Sequence, residues 1–242
     1  MSKLLRFEFH KLFRQKSFYI CTALLLVINL YTIIYAYDNG GRSTGLICMS
    51  AAVCSTDFTM LFGIFTALFT CDDYANGTVR NILSRGFTRT QVYFAKLITV
   101  IVAAVIAVLL VWAATFTAGT LCWRDGLNDF NSTVLSTLEA QLLLTVAAAA
   151  LFYAISSVIA KTGASVAVCL LIDLIAALGI GIYSMLFEPD LNIAEYWISN
   201  LRGSCCGLFC DYETLRTSFI AALCYFFGST ALGYLAVCKR EY

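Results

Sequence analysis

The residues of this 242-residue chain that could do chemistry include a few carboxylates within apolar runs. Asp57 and Asp173 lie inside long apolar stretches, and Glu139 lies near the start of another. Such carboxylates are typical of ion or proton pathways and of polar cavities. Water-exposed helix ends and hydrogen-bonded helix interfaces also accommodate them. Because the basic residues lie at or beyond the ends of the apolar runs, we favour a polar cavity lined by Asp57 and Asp173 over a proton relay.

The sequence lacks the nucleotide-binding and metal-binding motifs that would indicate an enzyme. The segment AKTGAS at 160–165 places Lys161 and Thr162 before its glycine, so it does not match the phosphate-binding loop GxxxxGK[ST]. The chain has one histidine, His10, and none of its cysteines has zinc-finger spacing with it. We therefore predict no catalytic residue, no metal site and no cofactor in this chain.

The amino-acid composition indicates that the carboxylates described above belong to a membrane protein. Hydrophobic residues make up 60% of the chain and charged residues 13%, whereas soluble domains are about half apolar and a quarter charged. One core cannot bury this apolar excess, so much of it must face lipid, and the apolar total suffices for roughly six membrane-spanning helices. The net charge of +1 argues against binding to nucleic acid.

The apolar runs predict an all-α membrane protein, with residues 1–242 as a single domain of six transmembrane helices. The predicted spans are about 18–37, 45–71, 94–118, 138–160, 164–187 and 219–238. An even number of spans puts both termini on one side, and twelve of the sixteen basic residues share that side. Since basic residues concentrate on the cytoplasmic side, both termini are predicted to be cytoplasmic.

Residues 3–16, KLLRFEFHKLFRQK, precede the first span and read as a basic amphipathic helix. Its basic residues lie beside an apolar arc, a pattern typical of helices at a membrane surface. A positive flank that orients the first span is the alternative interpretation. The residues of the predicted arc are Leu5, Phe9, Leu12 and Phe13.

The polar stretch between the second and third spans predicts another short helix, 78–85. A turn signal precedes it, Thr78 can cap its first turn, and Gly86 can end it. Such a helix can insert an apolar face into a groove on another protein, or it can lie on lipid. The predicted apolar face consists of Val79, Ile82 and Leu83, flanked by Arg80 and Arg85.

The loop 188–217 contains Tyr196, Trp197 and Tyr212, which suit either a lid or an interface anchor. It also holds three of the eleven cysteines, and these can form a disulfide if the loop is extracytoplasmic. The three are Cys205, Cys206 and Cys210.

Four segments resemble bacterial ABC-type exporter permeases of the six-span, ABC-2 class. The stretch DDYANGTVRNILSRGFTRTQVYFAK (72–96) is similar to the segment after the second span in that family. LLRFEFHKLFRQKSFYI (4–20) is similar to the N-terminal connecting helix. AKTGASVAVCLLI (160–172) resembles the start of the fifth span, and EYWISN (195–200) resembles the loop before the sixth.

This resemblance implies a bacterial cytoplasmic membrane protein that pairs with a second permease chain, identical or different. Two separate ATPase subunits would bind ATP and Mg²⁺, and their closure would push on this chain. The connecting helix would be Lys3–Lys16 and the coupling helix Thr78–Arg85. Val79, Ile82 and Leu83 would then enter an ATPase cleft, and the flanking arginines would meet its acidic rim. Family members include permeases for bacitracin and lantibiotics, so a peptide or lipid-like substrate is the first expectation.

Two other functions remain as alternatives. A proton-coupled secondary transporter would use Asp57 and Asp173 and would need no ATPase. A membrane-embedded enzyme or assembly factor would need a catalytic pair facing a cavity, and we find no motif for one.

Overall fold

The computed structural model describes residues 1–124, 130–187, 193–206 and 210–239, and the regular structure within these ranges is helical. Parts of the predicted loop 188–217, namely 188–192 and 207–209, lie outside the described residues. The helices are α1 (Ser2–Arg14), α2 (Lys16–Asp38), α3 (Gly45–Cys54), α4 (Thr56–Ala75), α5 (Thr78–Ser84), α6 (Arg89–Trp123), α7 (Ser132–Ile159), α8 (Thr162–Phe187), α9 (Ile198–Ser204) and α10 (Tyr212–Lys239), with a 3₁₀ turn over Ile193–Tyr196.

Five helices are long and apolar enough to cross a membrane, namely α2, α6, α7, α8 and α10. The pair α3 and α4 passes the same test together, with a bend of 48° between the two helices. The prediction of an all-α membrane protein is confirmed, with six spans when the bent pair is counted as one.

The second span is not the continuous helix predicted over 45–71. It breaks at Ser55, which has an extended backbone and whose hydroxyl accepts a hydrogen bond from the Phe58 amide at 3.3 Å. This cap stabilises a new helix start within the apolar run. The 20 residues of α4 extend about 30 Å, which equals the hydrocarbon thickness of a bilayer. The α3–α4 break therefore lies one membrane thickness from α5.

The centre of the bundle is α7, which packs against α4, α6, α8 and α10. Alanines occupy four consecutive buried positions of α7, 147–150. Their small side chains let the neighbouring helices approach closely. A similar close approach joins α3 to α6, where a methyl group added to Gly119 would come within 2.9 Å of the Gly45 Cα. In contrast, Leu174, Ile175 and Leu178 of α8 are exposed, as expected for a face in contact with lipid.

Candidate functional site

Four ionisable side chains meet beneath α1 and form what we term the buried charge cluster: Glu8, Lys11, Asp73 and Lys96. The Lys96 ammonium contacts Asp73 Oδ2 and lies 3.2 Å from Glu8 Oε1. The Lys11 ammonium lies 2.5 Å from Asp73 Oδ1. At most 2% of the surface of Glu8, Asp73 and Lys96 is exposed. The cluster therefore links α1 to α4 and α6 through charges that have little access to water.

Two carboxylates and two ammonium groups balance the charge of the cluster. The Phe69 ring adds a π face, with its centroid 4.9 Å from Lys11 Nζ and 5.7 Å from Lys96 Nζ. Burial lowers the pKa of Lys11, while the nearby carboxylates of Glu8 and Asp72 act in the opposite direction. A buried charge is tolerated only when it is paired and hydrogen-bonded. The position of α1 is thus tied to intact pairing in the cluster.

The structure shows which residues of the predicted apolar arc of α1 pack against the chain. Leu12 is fully buried and Leu5 and Phe9 are half-buried, but Phe13 is exposed. The buried stripe runs through Leu4, Glu8 and Leu12, spaced four residues apart on one face. Glu8 turns inward because Lys96 offers it a cation. The sequence did contain one indication of this inward position, since Glu8 is the single acidic residue in the otherwise basic segment 3–16.

The short helix predicted at 78–85 is present as α5, which begins after Gly77 in a left-handed conformation, φ 66°. Its N-cap is this glycine, with no cap from the Thr78 side chain. Val79 and Ile82 of its predicted apolar face are buried within the chain, so this face packs mainly against the chain itself. Ile82 packs with Leu4 of α1 and with residues of α6, and Leu83 lies partly buried beside them. The solvent face of α5 carries polar residues instead, namely Arg80, Asn81, Ser84 and, at its C-terminal cap, Arg85.

A groove of about 390 Å³ separates α1 from α5, and we term it the α1–α5 groove. Apolar side chains from both sides form its floor, and Lys3 and Arg85 border it. None of the lining residues is acidic. Such a groove can accept an apolar segment that carries acidic residues beside it. Its lining residues are Lys3, Leu4, Phe7, Thr78, Asn81, Ile82, Arg85 and Phe87.

At the α3–α4 break, Arg202 of α9 inserts a guanidinium that is 2% exposed. It donates hydrogen bonds to the Val53 carbonyl, near the end of α3, and to Thr59 Oγ1 in the first turn of α4. Its guanidinium carbon lies 5.5 Å from the centre of the Phe58 ring. Arg202 therefore bridges the two halves of the bent span. Sequence reasoning counted it only as a basic loop residue.

The structure places Asp57 and Asp173 in different surroundings. Asp57 is exposed and lines a cleft of about 240 Å³ beside α2 and α3. Asp173 accepts hydrogen bonds from Trp197 Nε1 at 3.0 Å and from Ser199 Oγ at 2.6 Å. It also acts electrostatically on Arg202. Among the described residues, no hydrogen bond or ion pair joins Asp57 to Asp173. The contacts of Asp173 anchor the segment around α9, which therefore packs into the bundle rather than standing apart from it.

The fold and these contacts define a multi-pass helical membrane protein with a groove suited to a protein partner. The chain matches the family model described as ABC-2 family transporter protein over residues 4–180. Since this match covers most of the chain, the protein belongs to that family. No curated protein matches it. Members of this family are membrane components of ABC transporters and work with an ABC ATPase partner.

Proposed function

We propose that this chain is the permease subunit of an ABC exporter in the bacterial cytoplasmic membrane, with both termini in the cytoplasm. The α1–α5 groove is the observation that carries the proposal. Its apolar floor and cationic border suit a docking segment of an ABC ATPase. Two permease chains would pair, and two ATPase subunits would bind ATP and Mg²⁺. This chain would supply part of the substrate pathway through the membrane and the surface on which the ATPase docks.

The groove and the buried charge cluster together suggest how ATPase movement would reach the membrane. Residues of both α1 and α5 line the groove, so an ATPase segment seated there would contact both helices. α1 is held to α4 and α6 by the ion pairs of Lys96 and Asp73. A displacement of α1 would therefore be transmitted to two membrane-spanning helices rather than absorbed by a loose surface helix.

For the substrate we propose a peptide antibiotic or a lipid-like molecule, in line with the family resemblance. The proton-coupled alternative has less support, since the Asp173 carboxylate is committed to Trp197 and Ser199. A proton carrier must exchange with water or with a neighbouring relay group. A carboxylate that holds two donors from a packed segment is better suited to fixing that segment.

Two phenylalanines of α1 provide a matched test of the groove. Phe7 and Phe13 are similarly exposed, at 47% and 52%, but only Phe7 lines the groove. We expect Phe7→Ser to reduce ATPase retention by tenfold or more. Burying a phenylalanine is worth about 1.5–3 kcal/mol, and about 1.4 kcal/mol corresponds to tenfold in affinity. The measurement is the amount of ABC ATPase that co-purifies with the tagged permease, identified by mass spectrometry.

Phe13→Ser is the control and should retain the ATPase at the wild-type level. Equal retention by Phe7→Ser, Phe13→Ser and wild type would contradict docking in the groove. Failure of the wild-type chain to retain any ABC ATPase would contradict the proposed function itself. Membrane expression of each variant should be compared first, so that loss of folding is recognised.

A further inference from the structure

The end of α9 is fastened to the last turn of α3 by two contacts around Cys54. Ser50, one helical turn before Cys54, donates from its hydroxyl to the Cys206 carbonyl at 3.1 Å. Arg202 donates to the Val53 carbonyl, next to Cys54 in sequence. Both contacts involve the C-terminal half of α3. Together they hold the residues at the end of α9 near Cys54.

The two thiols face each other in this arrangement. The Cys54 thiol lies within hydrogen-bonding reach of the Cys206 sulfur, and both residues are partly exposed. This contact lowers the pKa of Cys206 to about 7. A substantial fraction of Cys206 is then thiolate at neutral pH, and the thiolate is the form that attacks disulfides.

The location of this pair bears on whether it can be oxidised. The 20 residues of α4 separate the α3–α4 break from α5 by about 30 Å. If α5 is cytoplasmic, as the proposed function requires, the thiols lie near the opposite face of the membrane. Disulfides form and persist on that extracytoplasmic side. This step rests on the proposed orientation.

We propose that Cys54 and Cys206 are a redox-active pair whose disulfide ties the α9 segment to the bend of the second span. The oxidant is a small-molecule or protein disulfide, R–S–S–R. The Cys206 thiolate attacks one of its sulfurs and releases RS⁻. The Cys54 thiol loses its proton to this thiolate and then attacks the Cys206 sulfur, which releases the second RS⁻. Two protein thiols are oxidised by two electrons, and the oxidant is reduced to two thiols.

The neighbouring cysteines are less suited to pair with Cys206. The Cys205 sulfur lies 3.3 Å from the Ser218 hydroxyl. Burial is the main cause that raises the pKa of Cys205 to about 11, so little of it is thiolate at neutral pH. Cys210 Sγ donates to the Ser204 carbonyl at 3.5 Å. The structure thus favours a partner in α3 over the pairing within the loop that the sequence allows.

The test is to map the linkage in the full-length chain. Intact cells expressing the permease are treated with oxidised glutathione, which does not cross the membrane. Free thiols are then blocked with N-ethylmaleimide, and the purified protein is digested without reduction. We expect mass spectrometry to find a peptide that joins Cys54 to Cys206 and that disappears after dithiothreitol. It should be absent from Cys54→Ser and retained in Cys224→Ser, a control at an exposed cysteine.

A second readout is the melting temperature, which does not depend on recovering the linked peptide. The oxidised wild type should melt at a higher temperature than the reduced protein, since the linkage restricts the unfolded chain, and Cys54→Ser should show no difference. Recovery of both cysteines in alkylated form, or of Cys206 joined to Cys205 or Cys210 instead, would overturn the proposal. Linkage in inverted vesicles but not in intact cells would support the pair and contradict the orientation given under the proposed function. Neither readout needs an ATPase.

Discussion

Replacing Lys96 with methionine should destabilise the protein by about 3–5 kcal/mol, the usual effect of removing one partner of a buried ion pair. Methionine keeps the length and most of the volume of lysine but removes the charge. Glu8 is fully buried and would lose its cation, and Asp73 would keep only Lys11. The measurement is thermal and denaturant unfolding of the purified permease in a fixed detergent or nanodisc.

Lys161→Met is the matched control, because Lys161 is exposed in the connection between α7 and α8. This change should leave stability within about 0.5 kcal/mol of wild type. The double variant Glu8→Gln with Lys96→Met tests the mechanism. It removes the orphaned carboxylate together with its cation and leaves the pair of Lys11 with Asp73. Its loss should be smaller than the sum of the two single losses by about 1–3 kcal/mol. Additive losses would show that Glu8 and Lys96 do not act as a pair.

Lys96→Met should also weaken retention of the ATPase, because the groove is built from α1 and α5 together. A loosened α1 would move Lys3 and Phe7 away from the α5 side. We expect the double variant Glu8→Gln with Lys96→Met to recover part of the retention. If Lys96→Met is destabilised but retains the ATPase fully, the buried charge cluster has only a structural role and does not support docking. The readout is the same co-purification used for Phe7→Ser.

The membrane-spanning helices were predictable because a span is recognised from the total hydrophobicity of a long segment, not from any single residue. Hydropathy over about 20 residues identifies a span whatever its partners are. The break at Ser55 was missed for the same reason, since averaging over 45–71 conceals a local helix start. The signal was present in Ser55 and Asp57, because serine at an N-cap and an acid in the first turn are typical helix starts.

The candidate site was less predictable, because its contacts join residues far apart in the chain. Lys96 pairs with Glu8 across 88 positions, and Arg202 reaches Val53 across 149. No local pattern encodes such pairings. The sequence did find α1 and α5 from their periodicity, yet it assigned the apolar face of α1 to a membrane surface and that of α5 to a partner protein or to lipid. An amphipathic pattern shows that one face is buried, but not whether this chain or another protein covers it.

Arg202→Met is the second change for which we expect a large effect, a loss of about 3–5 kcal/mol in unfolding free energy. The guanidinium donates to the Val53 carbonyl and to the Thr59 hydroxyl, and Asp173 acts electrostatically on it. Without it, the carbonyl of the buried Val53 loses its donor. Arg202→Lys should recover only part of the loss, since one ammonium cannot reproduce the fork of a guanidinium.

Arg216→Met is the control at an exposed arginine in α10 and should unfold like wild type. A second readout reports on the α3–α4 break directly. Loss of Arg202 releases α9 from Val53, so Cys206 should react with maleimide faster in Arg202→Met than in wild type or Arg216→Met. Unchanged unfolding together with unchanged Cys206 reactivity would contradict the bridging role of Arg202. Faster labelling with native-like unfolding would instead show that Arg202 fixes α9 locally without contributing to global stability.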